Sequence, residues 1–179
     1  MKRLILCLAG GLLLLLAACG SRQGKEESGI RVLMLDGEKT RPPQQMEPVS
    51  ASDEIAFKGK TWHSILTRRP NNDLPLVKNE QGELFVDNEV TLQLLSGGKA
   101  LVEKTFTKNY FAPWVSVDFL KHAILEGFIF DKVTPQAIHY AVTLCYPQSD
   151  LYVPLSVAIA ADGKITVEKQ EMMEEPYEE

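Results

Sequence analysis

Residues 89–107 read EVTLQLLSGGKALVEKTFT. Val90, Leu92 and Leu94 alternate with Thr91 and Gln93, the two-residue period of a strand with one face buried. Ser96-Gly97-Gly98-Lys99 follows, and glycine reaches the backbone angles that a tight reversal needs. Ala100 to Thr107 then runs back. A hairpin of this kind pairs sequence neighbours antiparallel, and that pairing sets the fold class.

The same rhythm extends outward over residues 54–170. Glu54 to Lys58 and Lys60 to Arg68 flank Gly59. Pro70 to Pro75 is a loop by composition. Gln81-Gly82 turns into Glu83 to Asp87. Leu125 to Val133 and Ala137 to Tyr146 meet across Thr134-Pro135-Gln136. Leu151 to Ala160 and Ile165 to Lys169 meet across Ala161-Asp162-Gly163-Lys164. These runs predict eight or nine short strands, mostly antiparallel neighbours, and an all-β domain. One stretch departs from the period: PWVSVDFLKHA, residues 113–123. Ser116 there is placed to cap a short helix that turns Phe119, Leu120 and Ala123 inward. A helix of that length covers a sheet edge or plugs an open end. The expectation is a small antiparallel β-barrel, lipocalin-like, with one short helix. A two-sheet β-sandwich is the alternative, because alternation along a strand does not separate them. Gly127, inside a strand, marks a candidate bend.

The chain has 179 residues, 45% apolar and 24% charged. Those are globular averages, and they exclude collagen-like, coiled-coil, disulfide-scaffold and wholly disordered chains. Only one long apolar run exists, which excludes a polytopic membrane protein. That run opens the sequence: MKRLILCLAGGLLLLLAAC, residues 1–19. Lys2 and Arg3 form a positive start, Leu4 to Leu16 an apolar stretch too short to span a bilayer comfortably, and small residues precede Cys19. Leu16-Ala17-Ala18-Cys19 resembles the lipobox of bacterial lipoproteins. The resemblance implies a signal peptide over residues 1–18, cleavage before Cys19, and acylation of that cysteine. Several acyl chains anchor a protein stably where a single one does not.

Removing residues 1–18 leaves 161 residues and takes Lys2 and Arg3 with it, so the net charge moves from −5 to −7. So acidic a body is a poor partner for nucleic acid, and its membrane contact falls to the lipid. Cys7 departs with the signal and Cys19 carries lipid. Cys145 alone remains, which precludes an internal disulfide. Residues 19–53 read as lipidated N-terminus and flexible spacer, rich in Pro, Gln and charge. Ile30 to Leu35 interrupts it as a short apolar run, either docked on the body or awaiting a partner. Glu168 to Glu179 holds six Glu against one Lys, and residues 171–179 read as an acidic, solvated tail.

Chemistry is sparse. His63, His122 and His139 fall in three different elements without metal-ligand spacing, so no metal or other cofactor is expected. No Gly-x-Ser-x-Gly elbow and no Gly-rich phosphate loop occurs. Cys145 and His139 share a strand face but stand roughly 20 Å apart at ~3.3 Å per residue. Glu126 and Asp131 are a carboxylate pair by charge alone. Catalytic residues are therefore not assigned, and a hydrolase is the least favoured reading. Trp62, Tyr110 and Trp114 are the candidate ligand-binding residues, as an aromatic floor; the same aromatics equally suit sealing a core.

Four stretches carry a second resemblance: Leu74 to Lys78, Phe85 to Asn88, Ile124 to Asp131, and Tyr146 to Asp150 before Val153-Pro154-Leu155. With these the body is similar to a family of uncharacterised envelope lipoproteins from Bacteroides-type bacteria, a domain of unknown function. The resemblance implies an envelope lipoprotein with a compact β fold and assigns no catalytic residue; the expected location is the outer membrane. Lys25-Glu26-Glu27 leaves open whether the body faces the periplasm or the cell surface. The expected role is a lipid-anchored binding or interaction module for an envelope protein or a small molecule, with a structural or assembly lipoprotein as the alternative.

Overall fold

In the computed structural model, which describes residues 41–171, the Gly97-Gly98 reversal joins two long strands as its sequence requires. In chain order the elements are β1 (Val49–Phe57), β2 (Lys60–Pro70), the two-residue strands β3 (Val77–Lys78) and β4 (Leu84–Phe85), β5 (Asn88–Ser96) and β6 (Lys99–Thr107). A 3₁₀ segment (Lys108–Trp114) and helix α1 (Val117–His122) follow. Next come β7 (Ile124–Val133), β8 (Ala137–Cys145), β9 (Tyr152–Ala160) and β10 (Ile165–Lys169). The expected signal segment 1–18, Cys19, the run Ile30 to Leu35 and the tail beyond Glu171 lie outside the described residues.

The long strands form two four-stranded antiparallel sheets, ordered β1-β2-β5-β6 and β10-β9-β8-β7. This corrects the expectation of a closed barrel. Among the described residues each sheet has two edge strands, β1 and β6 in one and β10 and β7 in the other, and the arrangement fits the alternative, a two-sheet sandwich. The reason lies in the link from β6 to β7. A two-residue turn would have added β7 beside β6. Instead, Lys108 to Ala123 carries the chain into the second sheet through the 3₁₀ segment and α1. Ser116 caps that helix, its hydroxyl accepting from the Phe119 N–H at 3.2 Å, as its position predicts.

The domain also reaches further toward the N-terminus than residue 54. Residues 49–53 belong to β1, paired with Ser64 to Arg68. Gln44, inside the stretch expected to be spacer, donates to the Leu84 carbonyl and accepts from the Val86 N–H, both at 2.8 Å. Pro42 and Pro43 lack N–H groups, yet an added edge strand uses only alternate residues on the paired side, so Gln44 pairs regardless.

Alternation places Trp62, Ser64 and Leu66 of β2, and Val90, Leu92 and Leu94 of β5, in one core with Ile138, Tyr140, Val142 and Leu144 of β8. The two sheets share that core. Phe106 of β6 meets Phe128 of β7 with ring centroids 5.1 Å apart. The Tyr140 hydroxyl donates to Ser64 Oγ across the sheets at 2.9 Å, which satisfies both buried groups. Burial pushes the Tyr140 phenol up to about 12, so it stays a neutral donor.

Leu92 is fully buried and Ile129 is 60% exposed. Leu92→Ala is expected to cost about 2–5 kcal/mol of unfolding free energy through lost burial and a residual cavity. Ile129→Ala should cost under about 0.5 kcal/mol. Urea unfolding of the two variants checks the contrast; equal losses would contradict the core described here.

Candidate functional site

The start of β7 is where polar chemistry gathers. Between the apolar runs that end at Val86 and begin at Val90 stand Asp87, Asn88 and Glu89, all buried. Asp87 Oδ1 accepts from the N–H of Leu125 at 3.0 Å and from that of Asn88 at 2.8 Å. Asn88 Nδ2 donates to the Leu125 carbonyl at 3.0 Å. Two side chains at the entry to β5 thus take the backbone groups of Leu125 as a neighbouring strand would. Arg68 donates to the Glu126 carbonyl at 2.6 Å and to the Glu47 carbonyl at 3.2 Å. Lys108, the first residue of the 3₁₀ segment, lies 3.5 Å from Asp87 Oδ2 and donates to the Ala123 carbonyl at 2.8 Å. Burial pushes the Asp87 carboxyl above its ordinary range, while Lys108 and the two backbone N–H groups pull it down.

β7 pairs with β8 through two bulges, one between Leu125 and Gly127 and one between Phe130 and Lys132. Glu126 and Asp131 are the extra residues. Without the first bulge, Leu125 and Phe128 would face opposite sides of the sheet, since three is an odd step; with it, both enter the core. Gly127 sits at that bulge, and a Cβ there would lie 3.3 Å from Cβ and Oγ1 of Thr143. The bend expected at Gly127 is thus a bulge held at close approach. A bulge re-aims side chains, and Glu126 here lines a cleft.

That cleft, of about 510 Å³, opens beside the β8–β9 loop. Met46, Phe85, Ile124 and Cys145 give it an apolar floor, and together with Val77 they form a second apolar cluster apart from the main core. Tyr146 to Asp150 and Glu126 complete the wall. The loop is held in place: Gln148, at φ +59°, donates to Gln44 Oε1 at 3.1 Å, and Leu151 N–H donates to Ser149 Oγ at 3.1 Å. Burial, followed by the neighbouring Glu126 carboxylate, pushes the Cys145 thiol far up. It is a protonated group here rather than a nucleophile. Burial together with Asp118 and Glu80 likewise raises the Tyr146 phenol. A smaller cleft of about 260 Å³ lies over the second sheet, where Asp131, Lys132, His139, Ser156 and Glu168 meet.

The aromatic candidates take other places. Trp62 is buried in the main core, its indole N–H donating to the Phe57 carbonyl at 3.1 Å. Tyr110 and Trp114 pack against that same core, and the Tyr110 ring stands edge-on to Phe106 at 4.9 Å. None of the three lines either cleft. Glu126 and Asp131 line different clefts, so they do not act as a carboxylate pair. The histidines stay apart. His63 faces Glu54 at 3.7 Å across β1 and β2, His122 lies 3.3 Å from the Lys78 carbonyl at the end of α1, and His139 lies 3.1 Å from Thr134 Oγ1. Among the described residues no group of three or more His, Cys, Asp or Glu gathers as metal ligands do. Sequence reasoning did not single out Asp87, Asn88 or Lys108 as a cluster. The one signal for Asp87 and Asn88 was a polar triplet, Asp87-Asn88-Glu89, wedged between two apolar runs.

Among known families, the chain matches the model described as a domain of unknown function, DUF4738, over residues 29–167. The chain belongs to that family. The match takes in β1 to β9 and the first three residues of β10, and begins within the stretch expected to be spacer. No curated protein matches the chain in sequence.

Lys108→Met removes the partner of a buried carboxylate, and the expected loss at neutral pH is about 3–5 kcal/mol. The loss depends on pH. A carboxyl whose folded pKa is raised favours the protonated form in the native state. Its contribution is therefore fully present below the ordinary carboxylate range and is lost as pH rises through the folded value. Removing Lys108 raises that value further. The gap between wild type and variant should then be narrow near about pH 4 and wide at neutrality, read by urea unfolding at both. A gap that does not change with pH would refute the pairing.

Proposed function

We propose that this chain is a lipid-anchored binding domain of the bacterial cell envelope, held at the outer membrane by acyl chains on Cys19. The observation that carries the reading is Leu16-Ala17-Ala18-Cys19, set behind Lys2, Arg3 and the apolar run to Leu16. The body supplies the binding part. Its larger cleft has an apolar floor and a rim of convergent polar groups, the make-up of a ligand or partner site. Its one thiol is held protonated by burial and Glu126, and none of the three histidines lines that cleft, so binding is favoured over catalysis. With a mature charge of −7, nucleic acid is not the partner, and the acyl chains make the membrane contact. An assembly role acting through the surface is the second reading, favoured by Ile129 and Val133, both exposed on the edge strand β7.

Cys19→Ser tests the anchor. In the native host, the wild-type protein should take up labelled palmitate and enter the detergent phase on cloud-point separation. The variant should carry no label and remain in the aqueous phase. A variant that stays as firmly membrane-bound as the wild type overturns the proposal. Protease treatment of intact cells then assigns the face: loss of the body places it at the surface, survival in the periplasm.

A further inference from the structure

The larger cleft has a charge character that its shape alone does not convey. Two of its ten lining residues are carboxylates, Glu126 and Asp150, and none is Lys, Arg or His. Two cations of the neighbouring polar seam are engaged elsewhere. Lys108 serves Asp87 and the Ala123 carbonyl, and Arg68 serves the Glu126 and Glu47 carbonyls. Farther carboxylates add to the same field. Asp87 acts on the Cys145 thiol, and Asp118 and Glu80 act on the Tyr146 phenol, each in the direction of an excess of negative charge. The His122 ring lies beside this wall, its centroid 5.7 Å from that of Tyr146.

The floor asks for something different. Met46, Phe85, Ile124 and Cys145 offer apolar surface, and hydrophobic burial rewards an apolar guest. The Tyr146 ring offers a face attractive to a cation. The rim is prebuilt, since Gln148 is bonded to Gln44 at 3.1 Å and accepts from Asn79 Nδ2 at 3.5 Å. A ligand would therefore spend little on ordering the loop. An anion is repelled, and a bare inorganic cation leaves the floor unused. The two demands meet in one chemical class.

We propose that this cleft binds a peptide segment in which a lysine or arginine side chain stands beside aliphatic ones, with the cation at Glu126 and Asp150 and the aliphatic groups on the floor of Met46, Phe85 and Ile124. The proposal rests on the reading of the chain as a binding domain and names what it binds. A cation of this kind contributes specificity and salt dependence as well as affinity.

The test uses the full lipidated protein in phosphatidylcholine nanodiscs, with empty nanodiscs as the blank. The probes are acetyl-Ile-Arg-Val-amide and its twin with citrulline in place of arginine, which keeps the shape and removes the charge. Equilibrium dialysis should show one saturable site for the arginine peptide and at least about tenfold weaker binding of the citrulline peptide, a factor of ten being ~1.4 kcal/mol. The preference should shrink as salt rises. Glu126→Gln combined with Asp150→Asn should abolish it. Glu126 is half-buried and Asp150 exposed, and a Gln at position 126 can still accept from the Cys145 thiol, so the variant is expected to fold; its unfolding midpoint confirms this. Methyl NMR of Met46 and Ile124, both on the cleft floor, reports occupancy, because bound peptide should shift their resonances. Equal binding of the two peptides with those resonances shifted overturns the cation while leaving a binding domain. Saturable binding that leaves them unshifted overturns the cleft while leaving a binding domain. No saturable binding of either peptide overturns this proposal and removes the cleft's support from the reading beneath it.

Discussion

The N–H and C=O of Leu125 are the constraint on which the molecule turns. Leu125 lies in β7, an edge strand, and an edge presents backbone groups that must find partners or water. At this corner water is excluded, and the partners are side chains at the entry to β5 of the opposite sheet: Asp87 at 3.0 Å and Asn88 at 3.0 Å. Arg68 extends the same seam to Glu126 at 2.6 Å. One corner of an open sandwich is thereby closed with a short ladder made of side chains. Such a ladder needs a carboxylate, a buried carboxylate needs a counter-charge, and Lys108 provides it. Lys108 in turn begins the segment that carries the chain between the sheets. The crossover is thus fixed at both of its ends, by Lys108 at Asp87 and by Leu125 at Asp87 and Asn88.

The second consequence is geometric. Ile124 and Leu125 pair in register with Cys145 and Leu144 while Asp87 and Asn88 hold Leu125 from its other edge, and the bulge at Glu126 follows directly. The bulge keeps Leu125 and Phe128 in one core, brings Gly127 against Thr143, and leaves Glu126 beside a cleft that a regular strand would not place it in. Asp131 repeats the device farther along β7. Both carboxylates that stood out in the sequence by charge alone thus owe their positions to bulges.

Sequence made the strands legible, because each has a two-residue apolar period bounded by turn residues, as at Val90 to Leu94 and Gly97-Gly98. Ser116 and its helix were legible for the same local reason: a cap three residues ahead of the N–H that it binds. The sheet pairing of Gln44 was hidden, since prolines on one side suggested a spacer although the pairing edge uses only alternate residues. Barrel and sandwich were not separable, because the decision lies in where Lys108 to Ala123 delivers the chain, and that is a matter of tertiary contact. The polar node was equally hidden. Asp87 and Lys108 are 21 positions apart, and nothing local to either marks it as half of a buried pair. The aromatics Trp62, Tyr110 and Trp114 were visible as large apolar surface, but residue type alone does not say whether such surface lines a cleft or fills a core.

Three consecutive residues show why the cleft and the fold cannot be treated separately. The Ile124 side chain lies in the apolar cluster on the cleft floor, Leu125 in the main core, and Glu126 on the cleft rim. Their division among three environments depends on the bulge and on the register that Asp87 and Asn88 impose. A slip of one residue in β7 would exchange floor for core and turn the rim carboxylate elsewhere. The chemistry offered at the cleft is therefore only as well defined as the polar seam behind it. A buried ion pair contributes little net stability, but here it sets a register, and the register composes the cleft.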